Sequence, residues 1–115
     1  MASILYVDDE EAIRRAVATW LTRRGHVVHA AGSISAALDL LESQPVDGAF
    51  VDLWIGGESG LELREWIDKH RPDLSANVVL VTGDPGSSGQ LGRPMLAKPF
   101  ELTELDRFVA RWMGG

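Results

Sequence analysis

The chain has 115 residues and a formal charge of −6, with 17 acidic against 11 basic side chains and no cysteine. This length predicts one domain over residues 1–115, and the lack of cysteine excludes a disulfide framework and a thiolate metal site and fits the cytoplasm. The acidic balance disfavours direct binding to nucleic acid or to a membrane surface, and no apolar run approaches the roughly 20 residues of a membrane helix.

Short apolar strands alternate with amphipathic helices along the chain, which is typical of a parallel sheet covered by helices. The predicted strands are Ser3 to Val7, His26 to Ala30, Gly48 to Asp52, Asn77 to Thr82 and Pro94 to Ala97. The predicted helices carry apolar positions at Ala12 to Leu21, Ile34 to Leu41, Leu61 to Ile67 and Leu102 to Trp112. Ser33 is the expected N-cap of the second helix, and Pro72 is expected to end the third.

The segment from Gly83 to Arg93 departs from this alternation. Its eleven residues include four glycines and one proline. Because glycine and proline disfavour a helix interior by about 1 and 3 kcal/mol, we expect a loop or at most one or two turns here. The fourth helix of the fold is therefore predicted to be shortened or absent.

Polar side chains follow four of the five predicted strands at their carboxyl ends. They are Asp8, Asp9, Asp52, Thr82 and Lys98. Since ligands bind at this edge of an open parallel sheet, these side chains form one candidate site. Three carboxylates placed together repel one another unless a hard cation such as Mg²⁺ lies between them. With a lysine and a hydroxyl beside them, the set suits phosphoryl transfer to a carboxylate, with Asp52 as the nucleophile.

Five short motifs occur in a characteristic order: Ile4-Leu5-Tyr6-Val7-Asp8-Asp9-Glu10, Val51-Asp52-Leu53, Ser59-Gly60-Leu61-Glu62-Leu63, Val81-Thr82-Gly83 and Lys98-Pro99-Phe100. Through them the chain resembles, over essentially its whole length, the receiver domain of two-component response regulators. The stretch from Gly92 to Phe100 looks most like receivers attached to hybrid histidine kinases. The resemblance implies a flavodoxin-like, doubly wound α/β fold, with a five-stranded parallel sheet of order 2-1-3-4-5 and helices on both faces.

The resemblance also implies roles for individual residues. Asp52 would accept a phosphoryl group from the phosphohistidine of a histidine kinase or a phosphotransfer protein. Asp8 and Asp9 would hold Mg²⁺ together with Asp52 and the backbone carbonyl of Trp54. Such a domain catalyses only its own phosphorylation and dephosphorylation. Without an effector domain, its output would come from a partner protein, from association with a second copy of the chain, or from competition for phosphate.

Thr82 and Lys98 would bind the phosphoryl oxygens, and Thr82 would act as a switch position. Family members tend to carry an aromatic switch residue three positions before the lysine, where this chain has Met95. They also commonly have proline where this chain has Gly56, so we expect a looser loop there. Met95 and the short crossover motivate an alternative, a receiver-like interaction module that works without phosphate.

Two residues are expected to flank the site. Trp54, two positions after Asp52, either shields the acyl phosphate from water or is an exposed aromatic or a partner anchor. Asp84, two positions after Thr82, either gates the site or forms a plain turn. A Mg²⁺-dependent aspartyl-phosphate phosphatase is a further alternative, but such enzymes need a second Asp as general acid where Trp54 stands.

Overall fold

The computed structural model describes residues 1–83 and 94–114. In chain order its elements are β1 (Ser3–Val7), α1 (Glu11–Arg23), β2 (Val27–Ala31), α2 (Ile34–Ser43), β3 (Gly48–Asp52), β4 (Trp54–Ile55), β5 (Glu58–Ser59), α3 (Gly60–His70), α4 (Pro72–Ser75), β6 (Val78–Thr82), β7 (Met95–Ala97) and α5 (Leu102–Trp112). Asp84 and the predicted helix-poor crossover, apart from Gly83, lie outside the described residues.

Five strands form one parallel sheet in the order β2-β1-β3-β6-β7. This is the predicted order 2-1-3-4-5 once the short strands β4 and β5 are set apart, so the doubly wound α/β fold is confirmed. Every residue of β3 and β6 is buried. These strands lack polar alternation because a parallel sheet is covered on both faces.

The two faces of the sheet carry separate hydrophobic clusters. We call the first the α2–α3 cluster, since its helical members come from α2, α3 and α4, and the second the α1–α5 cluster. The α2–α3 cluster comprises Leu5, Val7, Ala31, Ile34, Ala37, Leu41, Val46, Ala49, Val51, Leu53, Ile55, Leu63, Ile67, Leu74, Val78 and Leu80. The α1–α5 cluster comprises Ala2, Ile4, Tyr6, Val17, Leu21, Phe50, Val79, Val81, Leu96, Leu105 and Val109. Successive residues of β1 alternate between the clusters, as the pleat of a strand requires.

Local signals were correct in several places and wrong in others. The Ser33 hydroxyl accepts a hydrogen bond from the N–H of Ala36 at 3.1 Å and caps α2 as predicted. The predicted strand starts at His26, Asn77 and Pro94 are each one residue early, because pairing with a neighbouring strand sets the bounds. Pro72 does not simply end a helix: it opens the short helix α4, where its missing N–H is not needed.

The loop after β3 forms a short hairpin that the sequence did not predict. Trp54 and Ile55 pair in antiparallel fashion with Ser59 and Glu58. Gly56 and Gly57 form the turn with φ of +57° and +84°. Two successive positive φ values characterise the type I′ turn, which matches the twist of a tight hairpin and favours glycine. The two glycines therefore supply the turn of the hairpin.

No helix within the described ranges combines the length and the apolar character needed to cross a membrane.

Candidate functional site

The parallel sheet brings the predicted polar residues together at one edge. Asp8 follows β1, Asp52 ends β3 and Thr82 ends β6, and all three are buried. Lys98 follows β7, and its backbone N–H donates to the carbonyl of Thr82 at 2.8 Å. Side chains that lie far apart in the sequence thus share a single site at the carboxyl ends of the strands.

The ammonium group of Lys98 joins the buried carboxylates. Its Nζ lies 2.6 Å from Oδ2 of Asp52 and 3.0 Å from Oδ2 of Asp8, with Glu10 Oε1 farther away at 3.8 Å. Burial by itself would lower the pKa of Lys98, but the hydrogen bonds to Asp52 and Asp8 outweigh it, so this pKa is raised. Lys98 therefore stays charged at neutral pH and partly balances the acidic site.

Asp8, Asp9 and Asp52 are grouped closely enough to share a cation. One carboxylate oxygen from each lies within 4.8 Å of the others. Asp8 and Asp52 are buried, whereas Asp9 is exposed and gives the group an open side. Carboxylate oxygens suit a hard divalent cation, and Mg²⁺ typically uses one or two of them while keeping several waters. The donor set and its access to solvent therefore fit Mg²⁺.

Backbone N–H groups hold these carboxylates in place. The three hydrogen bonds run from Glu10 N–H to Asp8 Oδ1 at 2.9 Å, from Gly56 N–H to Asp9 Oδ2 at 3.1 Å and from Trp54 N–H to Asp52 Oδ1 at 3.1 Å. Two of the donors belong to the hairpin segment after β3. The ordered hairpin thus orients two of the three carboxylates.

Tyr6 is a site residue that the sequence argument missed. Its hydroxyl donates to Asp8 Oδ2 at 3.3 Å, and the side chain is fully buried. Burial, and next the charge of Asp8, raise the pKa of Tyr6, so the phenol remains a neutral donor. The spacing was available as a signal, because residues two apart in a strand point to the same face.

Arg14 and Glu10 also contribute without having been predicted to do so. Arg14 Nη1 donates to the backbone carbonyl of Asp8 at 2.8 Å. The Glu10 N–H donates to the Asp8 carboxylate, and the Glu10 carboxylate lies near the Lys98 ammonium group. The sequence places both residues at the start of α1 but does not say which way their side chains point.

Gly60 abuts the backbone of Asp52. A Cβ built on Gly60 would lie 2.0 Å from the Asp52 carbonyl oxygen. The Gly60 N–H donates to the carbonyl of Leu53 at 2.7 Å, and the Leu53 N–H donates to the carbonyl of Val81 at 2.9 Å. The start of α3 thus packs directly on the strand end that presents Asp52, and only glycine leaves enough room.

Three of the four predicted flanking and switch residues fall within the described ranges, and Thr82 is the buried one noted above. The Trp54 side chain is 67% exposed, which favours an exposed aromatic over a shield. Met95 is partly buried against the α2–α3 cluster and pairs in register with Leu80. Asp84 lies outside the described residues.

Comparison with known proteins identifies the family. The family model of the response regulator receiver domain matches residues 4–110 of this chain. The chain belongs to this family. Among curated relatives, the DNA-binding transcriptional regulator NtrC of Azospirillum brasilense is 35% identical over 96% of the chain and 24% of that protein. The heme response regulator HssR of Staphylococcus epidermidis is 32% identical over 91% of the chain and 48% of that protein. The receiver domain thus spans about a quarter to a half of these relatives.

Solved structures agree with this membership. NtrX from Brucella abortus, crystallised with ADP, has a TM-score of 0.85 and 30% identity over 98% of this chain and 27% of that one. TrrA from Thermotoga maritima, in complex with Mg²⁺ and BeF, has a TM-score of 0.83 and 29% identity over 97% and 99%. A Burkholderia pseudomallei response regulator with a phosphorylated aspartic acid, calcium ion and citrate has a TM-score of 0.79 and 28% identity over 91% and 64%. The receiver fold of this chain is therefore supported from both sequence and structure.

Proposed function

We propose that this receiver domain is a phosphorylation-controlled signalling switch whose phosphoacceptor is Asp52. The observation that carries the proposal is the contact of Lys98 Nζ with both Asp52 and Asp8, beside three clustered carboxylates. A buried nucleophile next to a fixed cation suits phosphoryl transfer, which depends mainly on positioning and on neutralising charge. The donor is the phosphohistidine of a histidine kinase or a phosphotransfer protein.

Asp8, Asp9 and Asp52, with the backbone carbonyl of Trp54, are the proposed ligands of Mg²⁺. When bound, the ion supplies positive charge beside the phosphoryl oxygens. The proximity of the three carboxylates supports this set, as does TrrA, a similar chain that was crystallised with Mg²⁺ and BeF. The hydrogen bonds from Trp54 and Gly56 prearrange Asp52 and Asp9, which lowers the cost of ordering the ligands.

In the proposed step, a carboxylate oxygen of Asp52 forms a bond to phosphorus while the bond from phosphorus to the donor imidazole breaks. The imidazole nitrogen keeps the electron pair of that bond. Lys98 balances the charge that collects on the phosphoryl oxygens, and the Thr82 hydroxyl donates to one of them. The altered contacts of Lys98 and Thr82 then change the surface that a partner protein or a second copy of the chain recognises.

Intact mass spectrometry tests the assignment directly. With Mg²⁺ and acetyl phosphate, we expect the wild-type chain to gain one phosphoryl group and the isosteric variant Asp52→Asn to gain none. EDTA should abolish the gain in the wild type. Phosphorylation of Asp52→Asn, or none in the wild type, would overturn the proposal, and a folded but unreactive wild type would favour the phosphate-independent interaction module.

A further inference from the structure

Arg14 contacts the site but has no part in the proposed chemistry. It lies in the first turns of α1, six residues after Asp8. Its Nη1 donates to the backbone carbonyl oxygen of Asp8 at 2.8 Å. A guanidinium group bound to a carbonyl makes a charge-assisted hydrogen bond, which is stronger than a bond between neutral groups.

The carbonyl that Arg14 binds belongs to the peptide group between Asp8 and Asp9. A peptide group is planar, so fixing its oxygen also fixes how the two neighbouring Cα atoms are oriented. The other side of Asp8 is held as well, because its N–H donates to the carbonyl of Ala31 at 3.0 Å. Arg14 thus helps to set the position of the buried Asp8 carboxylate relative to the exposed Asp9 carboxylate.

The turn between β2 and α2 lies close to the guanidinium group. A Cβ built on Gly32 would lie 2.9 Å from Arg14 Nη1 and 3.1 Å from its Cζ. The guanidinium group that binds the Asp8 carbonyl therefore leaves no free room for a side chain at Gly32. A side chain at position 32 would push it away without removing its charge.

We infer that Arg14 is a positioning residue for the cation site, an inference that rests on the proposed function. Its bond to the Asp8 carbonyl holds the peptide that carries Asp8 and Asp9 in the orientation that lets both carboxylates face one ion. The positive charge of Arg14 by itself would weaken Mg²⁺ binding, because two cations repel each other. Loss of positioning weakens Mg²⁺ binding, whereas loss of the charge by itself strengthens it.

The test is a titration with MgCl₂ followed by amide chemical shifts of the ¹⁵N-labelled chain. For Arg14→Ala we expect the Kd for Mg²⁺ to rise about 10-fold, as for other residues that orient metal ligands. Arg15→Ala is the matched control, since its side chain is 79% exposed and pairs with Glu11. Arg15→Ala removes the same charge but no contact with Asp8. The Kd of this variant for Mg²⁺ should stay within about twofold of the wild-type value or fall slightly.

Gly32→Ala tests position at constant charge, because the guanidinium has to shift away from a Cβ that would lie 2.9 Å from its Nη1. We expect its Kd to rise as in Arg14→Ala, while Arg14→Lys gives an intermediate value. Each variant is first checked for cooperative thermal unfolding, and if Arg14→Ala does not fold, Gly32→Ala decides. Wild-type affinity for Mg²⁺ in Gly32→Ala, or equal affinities in Arg14→Ala and Arg15→Ala, would overturn the role of Arg14 and leave the proposed function standing. A wild-type chain without Mg²⁺-dependent shifts would overturn the cation site and the inference with it.

Discussion

Lys98 Nζ lies closer to Asp52 Oδ2 than to Asp8 Oδ2, at 2.6 Å against 3.0 Å. One ammonium group therefore contacts two buried carboxylates at the ends of the neighbouring strands β1 and β3. The shorter contact is to Asp52, the proposed phosphoacceptor. Both carboxylates depend on this cation, since removal of one member of a buried ion pair leaves the other charged and desolvated.

Lys98→Met should lower the free energy of unfolding by roughly 3 kcal/mol in the absence of Mg²⁺, because two buried carboxylates lose their cation. Mg²⁺ should restore more stability to this variant than it adds to the wild type, since a ligand stabilises the state that binds it. Urea denaturation with MgCl₂ or with EDTA measures both effects. Lys69→Met, at an exposed position of α3, is the control. If the two variants lose the same stability, Lys98 is not essential to the buried charges.

Alkaline unfolding should be visible through Tyr6, the one tyrosine of the chain. Its pKa is raised in the folded state by burial and by Asp8, whereas an unfolded tyrosine ionises near pH 10. A raised pKa contributes stability that is complete below the unfolded pKa and is lost as the pH rises. In EDTA, tyrosinate absorbance should therefore increase in the same step as helical circular dichroism is lost. Ionisation well before unfolding would contradict the buried hydrogen bond.

Gly60→Ala should destabilise the domain by about 1–3 kcal/mol, because the new methyl group would collide with the Asp52 carbonyl. The phosphorylation rate should fall as well, since the strand end that carries Asp52 has to move. For the effect on stability Gly83→Ala is the control, since no described atom lies within 4 Å of its added Cβ. Thermal unfolding and the rate of mass gain with acetyl phosphate measure the two effects. Wild-type behaviour of Gly60→Ala would show that α3 shifts freely against β3.

Trp54→Ala should leave the stability within about 0.5 kcal/mol of wild type, as expected for an exposed side chain. The lifetime of the phosphorylated form should also be unchanged, because an exposed indole does not exclude water from Asp52. Loss of the phosphoryl group after removal of acetyl phosphate can be followed by intact mass. Faster loss in Trp54→Ala than in Trp54→Phe would favour the shielding role.

The sequence predicted best the features that depend on periodicity and on strand direction. The bounds of β1 and β3 were correct because a carboxylate follows or ends each apolar run. The meeting of Asp8, Asp52 and Lys98 was predictable since parallel strands end at the same edge of a sheet. These features need no knowledge of side-chain contacts.

The missed features depend on tertiary geometry. Strands of two residues, such as β4, are too short to show a period, so the hairpin was not predicted. The contact of Tyr6 with Asp8 and that of Arg14 with the Asp8 carbonyl depend on side-chain directions that spacing leaves open. The start of β2 follows from its register with β1, where Val27 pairs with Ser3.

The two faces of the core draw on different lengths of the chain. The buried members of the α2–α3 cluster all lie between Leu5 and Leu80, whereas the α1–α5 cluster also needs Leu96, Leu105 and Val109. Within the described ranges, the stretch from β1 to β6, with ten of the twelve helices and strands, therefore includes every buried residue of the α2–α3 cluster, whereas the α1–α5 cluster also draws on β7 and α5. Lys98 lies between β7 and α5, so the acidic site and the α1–α5 cluster both depend on the part of the chain that follows β6.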